Sequence, residues 1–324
     1  MRRSLAPQTG AALLTALLSV ALIASLAGTA LWQQWRLTEV EGSERARLQA
    51  EWVLQGTLDW GRLILREDAR QGGEDHLGEP WALPLKDARL GSFLAADKTV
   101  RADALLTDSF LAGRIEDLQG RLNVRNLVQS KEASKEVSPV DLRMFEQLFD
   151  NLGLPLPELR QLALGLRDAL QTPSPSAQAG FLPHRVEQLE WLGLSAGSLQ
   201  KLRPFIAWLP ERTTVNLNTA SAEVLSACAT ELPLAQAQRM VEARRQRHWR
   251  NLDDAHREAG GKQVFAQSAA SFSFNSRYFQ ISGQLRQAEH LLQAQALVRR
   301  ESLSTRLVWR DLLALPPEDL EVLR

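Results

Sequence analysis

Hydrophobic and polar positions along this chain change period several times, and each change marks an element. From Ala11 to Trp32 no residue carries a formal charge. At about 1.5 Å of rise per residue, such a run makes a helix of roughly 33 Å, enough to cross a bilayer core of about 30 Å. Beyond it Val40, Ala46, Ala50, Val53, Leu54, Leu58 and Leu65 recur at three- and four-residue steps among charges. That spacing predicts an amphipathic continuation of the span, weakened but not ended by Gly42, Gly56 and Gly61. Gly72 to Leu94 is rich in Gly, Pro and Asp and reads as loop or extended edge. From Gly113 to Leu127, Ile115, Leu118, Leu122 and Val124 alternate with polar residues, which predicts a strand pair with a turn or bulge around Gly120.

Between about Ser130 and Arg212 the period becomes helical. Leu142, Phe145, Leu148, Phe149 and Leu152 form one stripe, and Leu159, Leu162, Leu166 and Leu170 a second. A loop rich in Pro, Ser and Ala, Thr172 to Gly180, precedes a third, with Val186, Leu189, Leu192, Leu199, Leu202, Phe205 and Leu209. From Thr214 to Leu225, Val215 and Leu217 alternate with Asn216 and Asn218 as a short extended piece. Thr219 is then placed to cap a helix carrying Glu223 in its first turn. A turn at Glu231-Leu232-Pro233 leads to a second helix through Ala237, Met240, Val241 and Arg244. After Gly260-Gly261 the period returns to two, at Phe272 and Phe274 and at Phe279 and Ile281, and residues 293–300 and 305–309 can supply further strands. Strands on both sides of a helical block predict an α+β fold in which helices interrupt one sheet.

Charge and chemistry narrow the function classes. Lys+Arg and Asp+Glu both number 38, so no net field draws the chain to nucleic acid or anionic lipid. Arg2 and Arg3 precede the span, whereas Arg36, Arg45 and Arg47 after it are mixed with Glu39, Glu41 and Glu44. That asymmetry favours a cytoplasmic leader and an exported body. The one cysteine, Cys228, permits no intrachain disulfide and lies in an apolar pattern with Val224 and Leu225, which predicts a small buried hydrophobe. His76, His184, His248, His256 and His290 are scattered, and there is no His-Glu-x-x-His, Gly-x-Ser-x-Gly, P-loop or dinucleotide fingerprint. The chain therefore reads as a non-enzyme. Two acidic clusters, Glu74–Asp75–Glu79 and Asp253–Asp254–Glu258, offer the oxygen ligands of a calcium site, or are solvated surface acids.

The first residues resemble the class III signal of type IV pilins and type II secretion pseudopilins, in which the small residue stands before the apolar run. On that resemblance a prepilin peptidase cuts between Gly10 and Ala11 and N-methylates Ala11; an uncleaved signal anchor is the alternative. The fifth residue after the cut is Thr15, where most pilins and pseudopilins carry a glutamate that meets the amine of a neighbouring subunit. Together with Trp81-Ala82-Leu83-Pro84, the helical insert and Asn216-x-Asn218-Thr219-Ala220, this missing glutamate resembles the K-type minor pseudopilins, the general secretion pathway protein K family.

The resemblance implies an N-terminal transmembrane and spine helix on a pilin-like antiparallel sheet, with a large all-helical insertion of sterile-alpha-motif (SAM-like) modules. Its divisions would be a leader (1–10), the span and spine (11–65), the first part of the head (66–128), a first helical module (129–212), a second of helix-hairpin-helix kind (213–262) and closing strands (263–324). It implies a subunit that caps the pseudopilus tip and promotes its initiation for export of folded proteins. It places the chain in the bacterial inner membrane as a single pass, with a cytoplasmic N-terminus and periplasmic head. Implied partners are the I- and J-type minor pseudopilins, the major pseudopilin, the prepilin peptidase, the inner-membrane assembly platform, and secretin or secreted substrates, with no nucleic acid. Calcium is the implied cofactor, for which Asp253, Asp254 and Glu258 are candidates. The rival reading is a membrane-anchored helix-hairpin-helix DNA-binding protein, supported by Arg239, Arg244, Arg245, Arg247 and Arg250 but opposed by Pro233 and by a turn lacking glycine.

Overall fold

The computed structural model describes residues 9–91, 109–131, 134–171, 182–229, 231–287 and 290–315. It divides into two units, residues 1–53 and 54–324. The leader residues 1–8 and the tail 316–324 lie outside the described residues. One helix, α1 (Thr9–Gln71), begins in the first unit and ends in the second.

In the first unit α1 is long and apolar enough to cross a membrane: an 18-residue window reaches a mean hydropathy of 2.1 with none of it buried. Leu13, Leu17, Ile23 and Leu26 are all exposed. The few hydroxyls in this stretch bond back to their own helix. Thr15 Oγ1 donates to the Ala12 carbonyl at 2.9 Å, Ser25 Oγ to Ala21 at 2.9 Å and Thr29 Oγ1 to Ser25 at 2.8 Å. Polar groups satisfied in this way are inexpensive in hydrocarbon.

In the second unit the rest of α1 lies on a five-stranded antiparallel sheet. Its strands are β1 (Leu85–Arg89), β2 (Phe110–Asp117), β9 (Tyr278–Gln287), β10 (His290–Glu301) and β11 (Ser304–Leu315), in the order β1-β2-β9-β10-β11. Leu54, Leu58 and Leu65 are the buried stripe that the helical spacing predicts. Gly61 has a reason beyond helix propensity, since a Cβ there would lie 2.7 Å from Ile281 Cγ2 on β9. The helix continues past Leu65 to Gln71 and stops at Gly72, whose φ is +68°.

Between β2 and β9, which pair from Phe110↔Arg286 to Asp117↔Phe279, the chain makes its helical excursion. The predicted strand pair at 113–127 is not what forms. Past Asp117 the chain enters a 3-10 turn (Leu118–Gly120), the two-residue β3 (Leu122–Asn123) and a second 3-10 turn (Val124–Leu127). The cause is local: Asp117 and Asn123 each accept the N–H two residues on, from Gln119 and Arg125, and these side-chain bonds outcompete the ladder. A hairpin of β4 (Val128–Lys131) and β5 (Ser134–Val137) leads to α2 (Pro139–Asn151), α3 (Leu156–Gln171), a 3-10 segment (Val186–Leu192) and α4 (Ala196–Leu202). Two short parallel pairs close the two halves of this excursion: β3 with β6 (Ile206–Ala207) brackets α2 to α4, and β7 (Val215–Asn216) with β8 (Phe272–Ser273) brackets α5 (Ala222–Cys228), α6 (Leu234–Gln246) and α7 (Leu252–Glu258). One buried apolar cluster runs through all of these helices, from Phe145, Leu148 and Phe149 through Leu162, Leu189 and Leu202 to Leu225, Met240, Trp249 and Phe265. Cys228 belongs to it, and burial pushes its thiol pKa up, so its role is packing.

Candidate functional site: the polar joint of sheet and helices

Asn216, Asn218 and Thr219 meet the sheet at a buried polar joint whose centre is Asp117, at the end of β2. Asp117 Oδ2 accepts from Thr219 Oγ1 at 2.6 Å, Ser276 Oγ at 2.6 Å and Asn216 Nδ2 at 3.1 Å, while Oδ1 accepts the Gln119 N–H at 2.8 Å. Burial pushes its carboxyl pKa up to about 6, against the lowering effect of its donors. Asn216 Nδ2 also donates to the Asp75 carbonyl and Ser276 Oγ. Asn218 holds Trp249 by both backbone groups: its Nδ2 donates to the carbonyl at 2.9 Å and its Oδ1 accepts the N–H at 2.9 Å. Gly120 is required at this contact, because a Cβ there would stand 2.8 Å from Thr219 Oγ1 and 3.0 Å from the Thr219 backbone. The Asn-x-Asn-Thr-Ala segment thus fastens the helical block to the sheet. Thr219 is not the helix cap that its position predicts; Ser221 caps α5 by accepting the Val224 N–H at 3.3 Å.

Beside this joint, the last turn of α1 and the loop after it contribute an acidic group. Asp68, Asp75 and Glu79 place one oxygen each within 4.8 Å of one another. Two of the three, Asp68 and Asp75, are paired with Arg300 of β10. Arg300 Nη1 donates to Asp68 at 2.6 Å, and its Nη2 to Asp75 Oδ2 at 2.5 Å and to the Ser276 carbonyl at 2.8 Å. Burial, then the neighbouring Glu79, raises the Asp68 pKa to about 6, and burial raises that of Asp75. Glu79 Oε2 accepts the His76 N–H and the Trp81 Nε1–H, both at 2.8 Å. Trp81 is fully buried and meets Phe279 edge-on at 5.2 Å, so the Trp-Ala-Leu-Pro segment is an anchor for the loop.

Among the described residues these three are the acids that converge on a space one hard cation could occupy, and they combine two members of the predicted Glu74–Asp75–Glu79 cluster with Asp68. Asp253, Asp254 and Glu258 lie on α7 and do not form such a group. The Asp254 carboxylate instead accepts the Arg250 N–H and pairs with Arg257 at 3.0 Å. The basic run on α6 is divided as well. Arg244 is buried and donates to the carbonyls of Leu217 and Ala220, and burial lowers its pKa to about 10; Arg245 pairs with Glu242 at 2.9 Å. The backbones of Gly10 and Ala11 lie in α1, whose exposed apolar stretch carries Thr15.

Known proteins agree with this architecture. Two segments of the chain, 120–211 and 215–275, match the family described as type II secretion system (T2SS), protein K. Type II secretion system protein K of Pseudomonas aeruginosa is 30% identical over 308 residues, covering 87% of this chain and 84% of that protein. Its counterpart in Klebsiella pneumoniae is 25% identical over 269 residues, covering 76% and 78%. A chain in the crystal structure of the GspK-GspI-GspJ complex from enterotoxigenic Escherichia coli shares the fold, with a TM-score of 0.64 over 84% of this chain and 98% of that one at 18% identity. On the identity and coverage of the Pseudomonas relative and the two family segments, this chain belongs to the type II secretion system protein K family.

Proposed function

We propose that this chain is the minor pseudopilin that caps the tip of a type II secretion pseudopilus and helps start its assembly. The observation that carries the reading is the exposed apolar helix with an uncharged residue at Thr15, followed by a head enlarged by the helical block. The Thr15 hydroxyl bonds to its own helix at Ala12 and presents no carboxylate to a neighbour's amine. A subunit with nothing above it needs none, because a carboxylate in lipid is costly unless paired. In this account a prepilin peptidase removes residues 1–10, Ala11 becomes the N-methylated first residue, and α1 enters the fibre among other pseudopilin helices from the inner membrane. The head then lies in the periplasm, and I- and J-type minor pseudopilins are its immediate partners. The E. coli structural relative supports that choice, having been crystallised with GspI and GspJ.

The rival DNA-binding reading has less support, since Arg244 is engaged inside the helical block and Pro233 precedes α6. Mass spectrometry of the mature chain tests the processing: the first residue should be methylated Ala11, and an intact Met1 rules it out. Co-purification with two further minor pseudopilins from solubilised membranes tests the assembly; isolation of the chain alone in every detergent would count against it.

A further inference from the structure

Sheet and helical block line a solvent-open cavity of about 710 Å³, and a second of about 310 Å³ shares Arg114, Glu116 and Arg121 with it. At the shared wall donors exceed acceptors. Glu116 faces Arg114 at 3.5 Å and Arg121 at 3.6 Å, both longer than the roughly 2.7–2.9 Å of a good charge-assisted hydrogen bond. One carboxylate is therefore divided between two guanidiniums, each of which carries five donors. Two further cations on the larger cavity are already engaged, Arg203 with Glu187 at 2.8 Å and Arg185 with Asp311. The adjoining lining includes Gln280, Gln293 and Gln295, whose amides can both donate and accept. Burial lowers the Arg121 pKa, Glu116 and Asp117 oppose it, and the cations of Arg114 and Arg203 add to the lowering. Arg121 is therefore a half-buried guanidinium that shares its nearest carboxylate, Glu116, with a second cation.

We propose that this double cavity binds an extended acidic polypeptide segment, whose carboxylates dock on Arg114 and Arg121 and whose backbone amides meet the glutamines. The larger volume falls within the range of about 300–1,000 Å³ typical of ligand sites. Carboxylates supply the acceptors that the wall lacks, and an amide lining suits a peptide better than a bare anion. The proposal is independent of tip capping, because it concerns the head alone.

Calorimetric titration of the full-length chain in detergent micelles, at low salt, tests it with a blocked hexaglutamate peptide, a hexaglutamine control and succinate as a small dicarboxylate. Hexaglutamate should bind at least about tenfold more tightly than hexaglutamine, and Arg121→Gln should weaken it by about tenfold or more. Glu116→Gln should tighten binding, since it frees both guanidiniums; a gain of that kind cannot come from misfolding. Arg245→Gln, far along α6 in an exposed pair with Glu242, should change nothing. No binding of hexaglutamate, an equal loss in Arg245→Gln, or no gain in Glu116→Gln would overturn the proposal. Displacement by succinate at equal carboxylate concentration would overturn the peptide assignment.

Discussion

Asp117→Asn should alter the pH dependence of stability in one direction only. Burial holds the Asp117 carboxyl at about 6, against 3.8 in the unfolded chain. Between those two values the folded state keeps a proton that the unfolded state has released, so stability falls as pH rises through the window. At 1.36 kcal/mol for each pH unit separating the two values, Asp117 contributes about 3 kcal/mol more at low pH than at neutrality. Asp68 and Asp75, also raised, act in the same sense, and His76, lowered chiefly by burial, acts in the opposite one. Subtracting the variant from the parent isolates Asp117, because the other groups titrate in both. The assay is urea unfolding of the full-length chain in micelles, followed by the fluorescence of buried Trp81 and Trp249. The stability of the parent relative to Asp117→Asn should be about 2.4 kcal/mol greater near pH 4 than near pH 7.5, the remainder of the ~3 kcal/mol being lost already by pH 4, where the unfolded carboxyl is more than half ionised. A difference that stays constant, or that grows towards neutral pH, would refute the reasoning.

Gly61→Ala places a methyl 2.7 Å from Ile281 Cγ2 and should cost about 1–3 kcal/mol, with partial recovery in the Gly61→Ala, Ile281→Val double variant, as read by thermal melting. Asn218→Ala leaves both backbone groups of Trp249 without their side-chain partner and should cost about 2–4 kcal/mol, with faster amide exchange at Trp249. Arg300→Ala leaves Asp68 and Asp75 without their cation and should destabilise by about 3–5 kcal/mol. If the acidic group can accept a hard cation, millimolar calcium should restore part of that loss, and equal charge added as sodium should not.

The elements legible in the sequence are those with long, clean periods: the apolar span, the Leu54–Leu58–Leu65 stripe, the Leu- and Phe-rich helices and the alternation at Phe279 and Ile281. The joint was located but not explained, because its partners are remote. Thr219 looks like a helix cap by local rules, yet Asp117, 102 residues earlier, takes its hydroxyl, and Ser221 caps in its place. Arg300 lies 232 residues from Asp68, and no periodicity connects them. Gly61 reads as a weakness in a helix until Ile281 is seen above it. Arg244 does carry a signal, since it shares a helical face with the buried Ala237 and Met240, but among neighbouring arginines it reads as part of the basic run that supports DNA binding. Helical period says which face is inward; it does not say that backbone carbonyls await a cation there.

The central claim is position at the end of a fibre, and labelling tests it most directly. With an epitope placed in the head and pseudopili lengthened by overproducing the major subunit, gold-labelled antibody viewed by electron microscopy should mark one end of each fibre. Gold distributed along the shafts would contradict the account.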